Sequence, residues 1–89
     1  MKSHLTESFI TSFHRLPQRI QEGARRDYRL WKCDPHHPGL QFKRVGRRHE
    51  AYSVRVAIGW RALGVKEQDV MVWFWIGSHA EYEHILRRL

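Results

Sequence analysis

The run VMVWFWI, at positions 70–76, is apolar on both of the faces that a strand's alternating side chains present, and Gly77 and Ser78 end it. A short apolar run bounded by turn residues and rich in β-branched and aromatic side chains reads as a strand rather than a buried helix. Covered on both faces, it is expected to lie centrally in a sheet. The period of two recurs upstream. Trp60 to Val65 reads as a strand, and Tyr52, Val54, Val56 and Ile58 alternate with Ser53, Arg55 and Ala57 as another. Leu40, Phe42 and Val45 suggest a first strand. The close spacing of the last three strands favours hairpins over crossovers, so a mainly antiparallel sheet of about four strands is expected.

Before Gly39 the period is helical. Phe9, Ile10, Phe13 and Leu16 mark one helix, and Pro17 stands at what would be the first position of a second. Ile20, Ala24, Tyr28 (with Asp27 on its flank) and Trp31 make the second stripe, with Arg19, Arg25, Arg26 and Arg29 mostly on the opposite face. The cluster Asp34-Pro35-His36-His37-Pro38-Gly39 cannot continue a helix and reads as a loop. Ile85, Leu86 and Leu89 suggest a short C-terminal helical turn. The fold class is therefore α+β: an N-terminal two-helix hairpin packed on the sheet.

With 89 residues there is room for one domain, spanning 1–89, and 42% hydrophobic content with four Trp supplies its core without metal or disulfide staples. The lone Cys33 cannot form an intramolecular disulfide and fits a reducing compartment. No stretch approaches the ~20 apolar residues needed to span a bilayer, and Met1-Lys2-Ser3-His4 lacks the apolar run of a signal peptide, so a cytoplasmic protein with no membrane partner is expected. Sixteen Lys plus Arg against nine Asp plus Glu leave a net charge of +7, and most of the cations are Arg. Such a field attracts phosphate backbones or acidic proteins.

Two helices, a loop, and then strands reading YSVRV (52–56), WRALG (60–64) and VWFWIGSHAEY (72–82) resemble the RelE/ParE superfamily of bacterial toxins. The resemblance covers roughly residues 9 to 86. It rests on an Arg within the second strand, an aromatic-Arg start to the third (Trp60-Arg61, where the family has Tyr-Arg) and an Ile-Gly-His-type ending on the last (Ile76-Gly77-Ser78-His79). It implies the toxin half of a toxin-antitoxin pair and a cognate antitoxin partner. In RelE-like branches it implies a ribosome-dependent endoribonuclease that cuts mRNA without a cofactor or metal. The ParE-like branch shares the fold and poisons DNA gyrase with no nuclease site, and an inactive, antitoxin-binding relative is a third possibility.

Metal-free RNA cleavage needs a base for the 2′-OH proton, an acid for the leaving oxygen and fixed positive charge for the phosphorane. His79 follows the strand through Gly77-Ser78, at a strand exit where its imidazole is both exposed and held, and Glu81 or Glu83 is placed to orient it. A surface His without a role is the plainer alternative. If the hairpin turns on three residues centred at Ile58, residue numbers summing to 116 face each other and Arg55 meets Arg61 on one face. Like charges so placed are tolerated where a phosphate sits between them. A two-residue turn would shift the register and leave both facing solvent. Neither Arg61 nor His79 is expected to be needed for the core.

Lys43 and Arg44 fall on the preceding strand, where relatives carry phosphate-holding basic residues, and Arg47 and Arg48 extend the same basic run toward RNA. A solvated edge serves equally well as an explanation of these charges. Tyr82 offers a stacking ring or an acidic hydroxyl, against simple core packing. Cys33, His36 and His37 resemble the start of a metal site without enough ligands to complete it. Trp60, Trp73 and Trp75 are core aromatics first and a base-stacking platform second.

Overall fold

The computed structural model describes residues 2–88. The chain runs β1 (Lys2–Leu5), α1 (Glu7–His14), α2 (Gln18–Cys33), a 3-10 turn (Pro38–Leu40), β2 (Lys43–Arg44), β3 (Ala51–Ala57), β4 (Trp60–Glu67), β5 (Val70–Ser78) and α3 (His79–Leu86). The five strands form one sheet in the order β1-β5-β4-β3-β2. Strands β2 to β5 pair antiparallel, and β1 lies parallel to β5 with Lys2 opposite Val70 and Leu5 opposite Trp73. This is the α+β hairpin-on-sheet architecture of the sequence reading, with three corrections.

The first is β1, which makes the sheet five-stranded and mixed. Only Leu5 in Lys2-Ser3-His4-Leu5 is apolar, so no alternation announces the strand; its pairing is supplied by distant β5. Inward-facing Ser3 is held by a hydrogen bond between its hydroxyl and that of Tyr28, and Leu5 packs on the core. The second concerns β5, which is paired on both edges but lies one place off the middle, where β4 sits. Val72, Phe74 and Trp75 on it are only half-buried. The third is β2, reduced to two residues. Leu40 enters the core through the 3-10 turn with 1% of its surface exposed, and Gln41, left-handed at φ 48°, then redirects the chain to the sheet edge. The C-terminal helical turn is a full eight-residue helix.

Each helix begins where local chemistry allows. The Thr6 hydroxyl accepts from the Phe9 amide at 3.1 Å and caps α1, one of the donors a helix start leaves unpaired. Pro17 is the residue before α2, and the Gln21 side-chain amide donates back to the carbonyls of His14 and Leu16, tying the two helices into a hairpin. The hairpin lies on one face of the sheet, α1 against β5 and α2 against β3. Ile20, Ala24 and Trp31 of α2 are buried there as the stripe predicts, and Trp31 meets Trp73 edge to face with ring centroids 5.2 Å apart. Gly64 is required at its position: a Cβ there would stand 2.6 Å from the Trp73 ring. Thus Trp73 is a core residue, whereas Trp60 and Trp75 are half-buried.

Candidate nucleic-acid interface on the reverse face of the sheet

Paired residues on neighbouring antiparallel strands share a face. Val54 and Ala62 pair with each other and belong to the helix-side core, so the flanking pair Ser53–Leu63, and with it Arg61, begins on the reverse face, whereas Arg55, at a break in the register, borders the recesses between α2 and the sheet. The register is the one in which numbers sum to 116, reached by an unexpected route. The turn contains two residues, Ile58 and Gly59, with Gly59 at φ +85°, and Ala57 pairs with Trp60. A bulge between Arg55 and Ala57 absorbs the extra residue and restores Arg55 opposite Arg61.

The two arginines have different surroundings. Arg61 is 4% exposed, a core side chain in contrast to the surface role expected of it. Its Nε donates to Ser53 Oγ at 3.1 Å and its Nη2 to the same oxygen at 2.5 Å, while Nη1 donates to Gln41 Oε1 at 2.8 Å. The guanidinium lies 5.2 Å from the centre of the Tyr82 ring, a cation–π distance. Burial pushes its pKa below the ordinary arginine value, the Tyr82 phenol opposes that shift, and the nearby Arg55 charge adds to it. Arg55 is half-buried, and its Nε is closed off from solvent with no hydrogen-bond partner among the described residues. Outside it, β2 pairs only with Tyr52 and Ser53, which leaves the rest of the β3 edge without a strand neighbour.

His79 opens α3. Its backbone amide donates to Gly59 O at 2.8 Å, which fastens the helix start to the β3–β4 turn. Ser78 and Glu81 form a reciprocal capping box around the same helix start. The imidazole is exposed, with Nε2 3.1 Å from Glu83 Oε1, one helical turn on, and its ring is tilted beside Tyr82 at 5.6 Å. Of the two candidate orienting carboxylates, Glu83 takes that place and Glu81 serves the cap. Tyr82 itself is 4% exposed with its hydroxyl buried and without a hydrogen-bond partner among the described residues, so of its two readings, RNA stacking and core packing, its burial fits core packing.

The basic run divides. Lys43 pairs with Ser53 and shares the Arg61 face, exposed; Arg44 pairs with Tyr52 and shares the helix-side face. Arg47 and Arg48 are exposed in the loop before β3. From β2 to α3 the reverse face therefore reads Lys43, Ser53, Arg61, Tyr82, His79, with exposed cationic or titratable groups at the two ends and a buried cation between them. Sequence reasoning missed Ser53 and Gln41, which hold Arg61; a Ser among apolar strand residues was the only signal. Among the described residues no three His, Cys, Asp or Glu side chains gather as metal ligands, Cys33, His36 and His37 included. No helix there is long and apolar enough to cross a membrane.

Solved structures share this fold at low sequence identity. The archaeal RelE of a RelE–RelB complex from Pyrococcus horikoshii OT3 superposes with a TM-score of 0.69 at 10% identity, over 86% of this chain and 92% of that one. A YoeB/ParE toxin from Agrobacterium tumefaciens gives 0.67 at 16%, over 89% and 99%. The isolated E. coli RelE toxin gives 0.63 at 14%, over 99% and 98%. No curated protein matches the sequence. The architecture is thus that of the RelE-type toxins. The model of the ParE-like toxin domain matches residues 18–84, and the chain belongs to that family, within the RelE/ParE superfamily of toxin-antitoxin toxins.

Proposed function

We propose that the protein is the toxin of a toxin-antitoxin pair and cleaves mRNA on the ribosome as a metal-independent endoribonuclease. The observation that carries this reading is the His79–Glu83 pair, an exposed imidazole held at a fixed helix start beside a carboxylate. His79 takes the 2′-OH proton; the 2′-oxygen attacks phosphorus and the bond to the 5′-oxygen breaks, leaving a cyclic phosphate and a 5′-hydroxyl protonated from water. Lys43, with Arg47 and Arg48 beyond it, holds the flanking phosphates electrostatically. Buried Arg61 acts from below, fixing Tyr82 and Gln41 in place. Arg55 is the guanidinium nearer to solvent and supplies positive charge at the open edge of β3.

The toxin is kept in check by an antitoxin carrying an acidic, partly disordered segment that folds on it. Support comes from the net charge of +7 and from relatives of this fold solved as RelE–RelB complexes. The alternative, a non-enzymatic inhibitor of DNA gyrase, is favoured by one observation: the donors of Arg61 are already occupied within the protein.

The deciding experiment places a defined message on 70S ribosomes and looks for a cut at the A-site codon, with gyrase supercoiling assayed in parallel. The nuclease reading expects cleavage that His79→Ala reduces by ~10² to 10⁴. An intact message together with blocked supercoiling would replace it with the gyrase reading.

A further inference from the structure

Gln41 stands where the backbone would accept a glycine without strain. It follows the 3-10 turn at φ 48° and ψ 42°, the left-handed region that a residue with a Cβ enters at a cost. A residue so placed persists when its surroundings hold it, and here both backbone and side chain are held. Its carbonyl oxygen accepts from Arg61 Nη2 at 3.4 Å, and its Oε1 accepts from Arg61 Nη1 at 2.8 Å. Arg61 in turn is 4% exposed and anchored on Ser53.

This arrangement fixes which way the amide points. A guanidinium has only donors to offer, so Arg61 takes the amide oxygen and leaves the Nε2 amine turned away. Gln41 is an exposed residue, and its Nε2 has no hydrogen-bond partner among the described residues. The amine therefore presents its donors to solvent, on the side of the sheet that carries Arg61 and Lys43. A hydrogen bond from a cation polarises the amide that accepts it, so part of the buried charge is expressed at Nε2. Arg61 is too buried to meet a ligand itself, and Gln41 carries its field to the surface.

We propose that Gln41 is an RNA-binding residue, its Nε2 donating to a backbone phosphate oxygen of the message beside Lys43, with Arg61 as the positioning residue behind it. The inference rests on the reading of the protein as an RNA-cleaving toxin and adds a neutral contact to its cations. A phosphate oxygen fits because the amine can only donate, and the charge of Lys43 draws the RNA backbone to this edge.

The parent protein, labelled at its exposed Cys33, is titrated against 70S ribosomes programmed with messages whose A-site nucleotides are 2′-deoxy, so that binding is read without cleavage. Gln41→Met should weaken binding about ten- to a hundredfold, the worth of a hydrogen bond to a charged group. The loss should be equal for different A-site codons, since phosphate contacts carry no sequence. The slope of log affinity against log salt should stay unchanged, because no charge is removed, whereas Lys43→Met should reduce it by about 0.7. Gln41→Glu controls for structure: it keeps an acceptor for Arg61, so its thermal melt should match or exceed the parent's, yet it should bind at least as weakly as Gln41→Met. Parent-like binding by either variant would overturn the proposal, as would failure of the parent to bind. A codon-dependent loss would put the amine on a base edge, and a reduced salt slope in Gln41→Met would put Arg61 itself on the phosphate; either result overturns it. Cleavage of the natural message, followed alongside, separates the two readings. An uncut message bound in a Gln41-dependent way sinks cleavage alone, and cleavage undiminished in Gln41→Met sinks this inference alone.

Discussion

Arg61 shows how far a residue's type can be from its use. A basic side chain opposite another basic side chain reads as a phosphate clamp, yet this one donates to Ser53 and Gln41 beneath the Tyr82 ring. Arg61→Ala is therefore expected to lower stability by about 1 to 3 kcal/mol, because the Ser53 hydroxyl, at 0% exposure, is left buried without its donor. Arg61→Lys should recover little of it, since one ammonium cannot reproduce a planar fork. Urea unfolding midpoints measure both, and an alanine variant as stable as the parent would show that the network is incidental. Any loss of the proposed cleavage in Arg61→Ala must accordingly be compared with loss of fold, whereas exposed His79 carries no such ambiguity.

Among the elements, the strands and helices with strong periodicity were legible and those made by distant partners were not. The stripes of α1 and α2 and the alternation of β3 state their faces in their own residues. β1 does not, because its four residues acquire strand geometry only from β5. β2 was overextended because Leu40 is as apolar as a strand residue, while its burial comes through a turn. At the site, the pairing of Arg55 with Arg61 was expected from a three-residue turn that the chain does not have; the bulge that restores the pairing behind a two-residue turn was not legible, nor was the direction of each guanidinium. Helix α3 offers a test at this scale. Ser78→Ala removes the capping box and should cost α3 about 1 kcal/mol. Faster amide exchange is expected in α3, and the proposed cleavage should fall with it because His79 loses its anchorage. Unchanged exchange in α3 would separate the cap from the placement of the imidazole.

For the molecule as a whole, β1 is the piece whose removal tests the sheet. Deleting residues 2–5 uncovers the β5 edge, a row of unpaired backbone groups beside half-buried Val72 and Phe74, and exposed edges of this kind recruit other chains. Light scattering should detect self-association of the truncated protein at concentrations where the parent is monodisperse; a monodisperse truncation would mean that the edge is protected otherwise. The same pairing also orders events in time. Lys2 finds its partner at Val70, so β1 waits for a strand that is synthesised much later, and closing so long a loop is slow. Nascent chains stalled before Val70 should remain protease-sensitive, and those released in full should not. A toxin read as an enemy of translation is in this way denied its finished sheet until its own translation has passed β5.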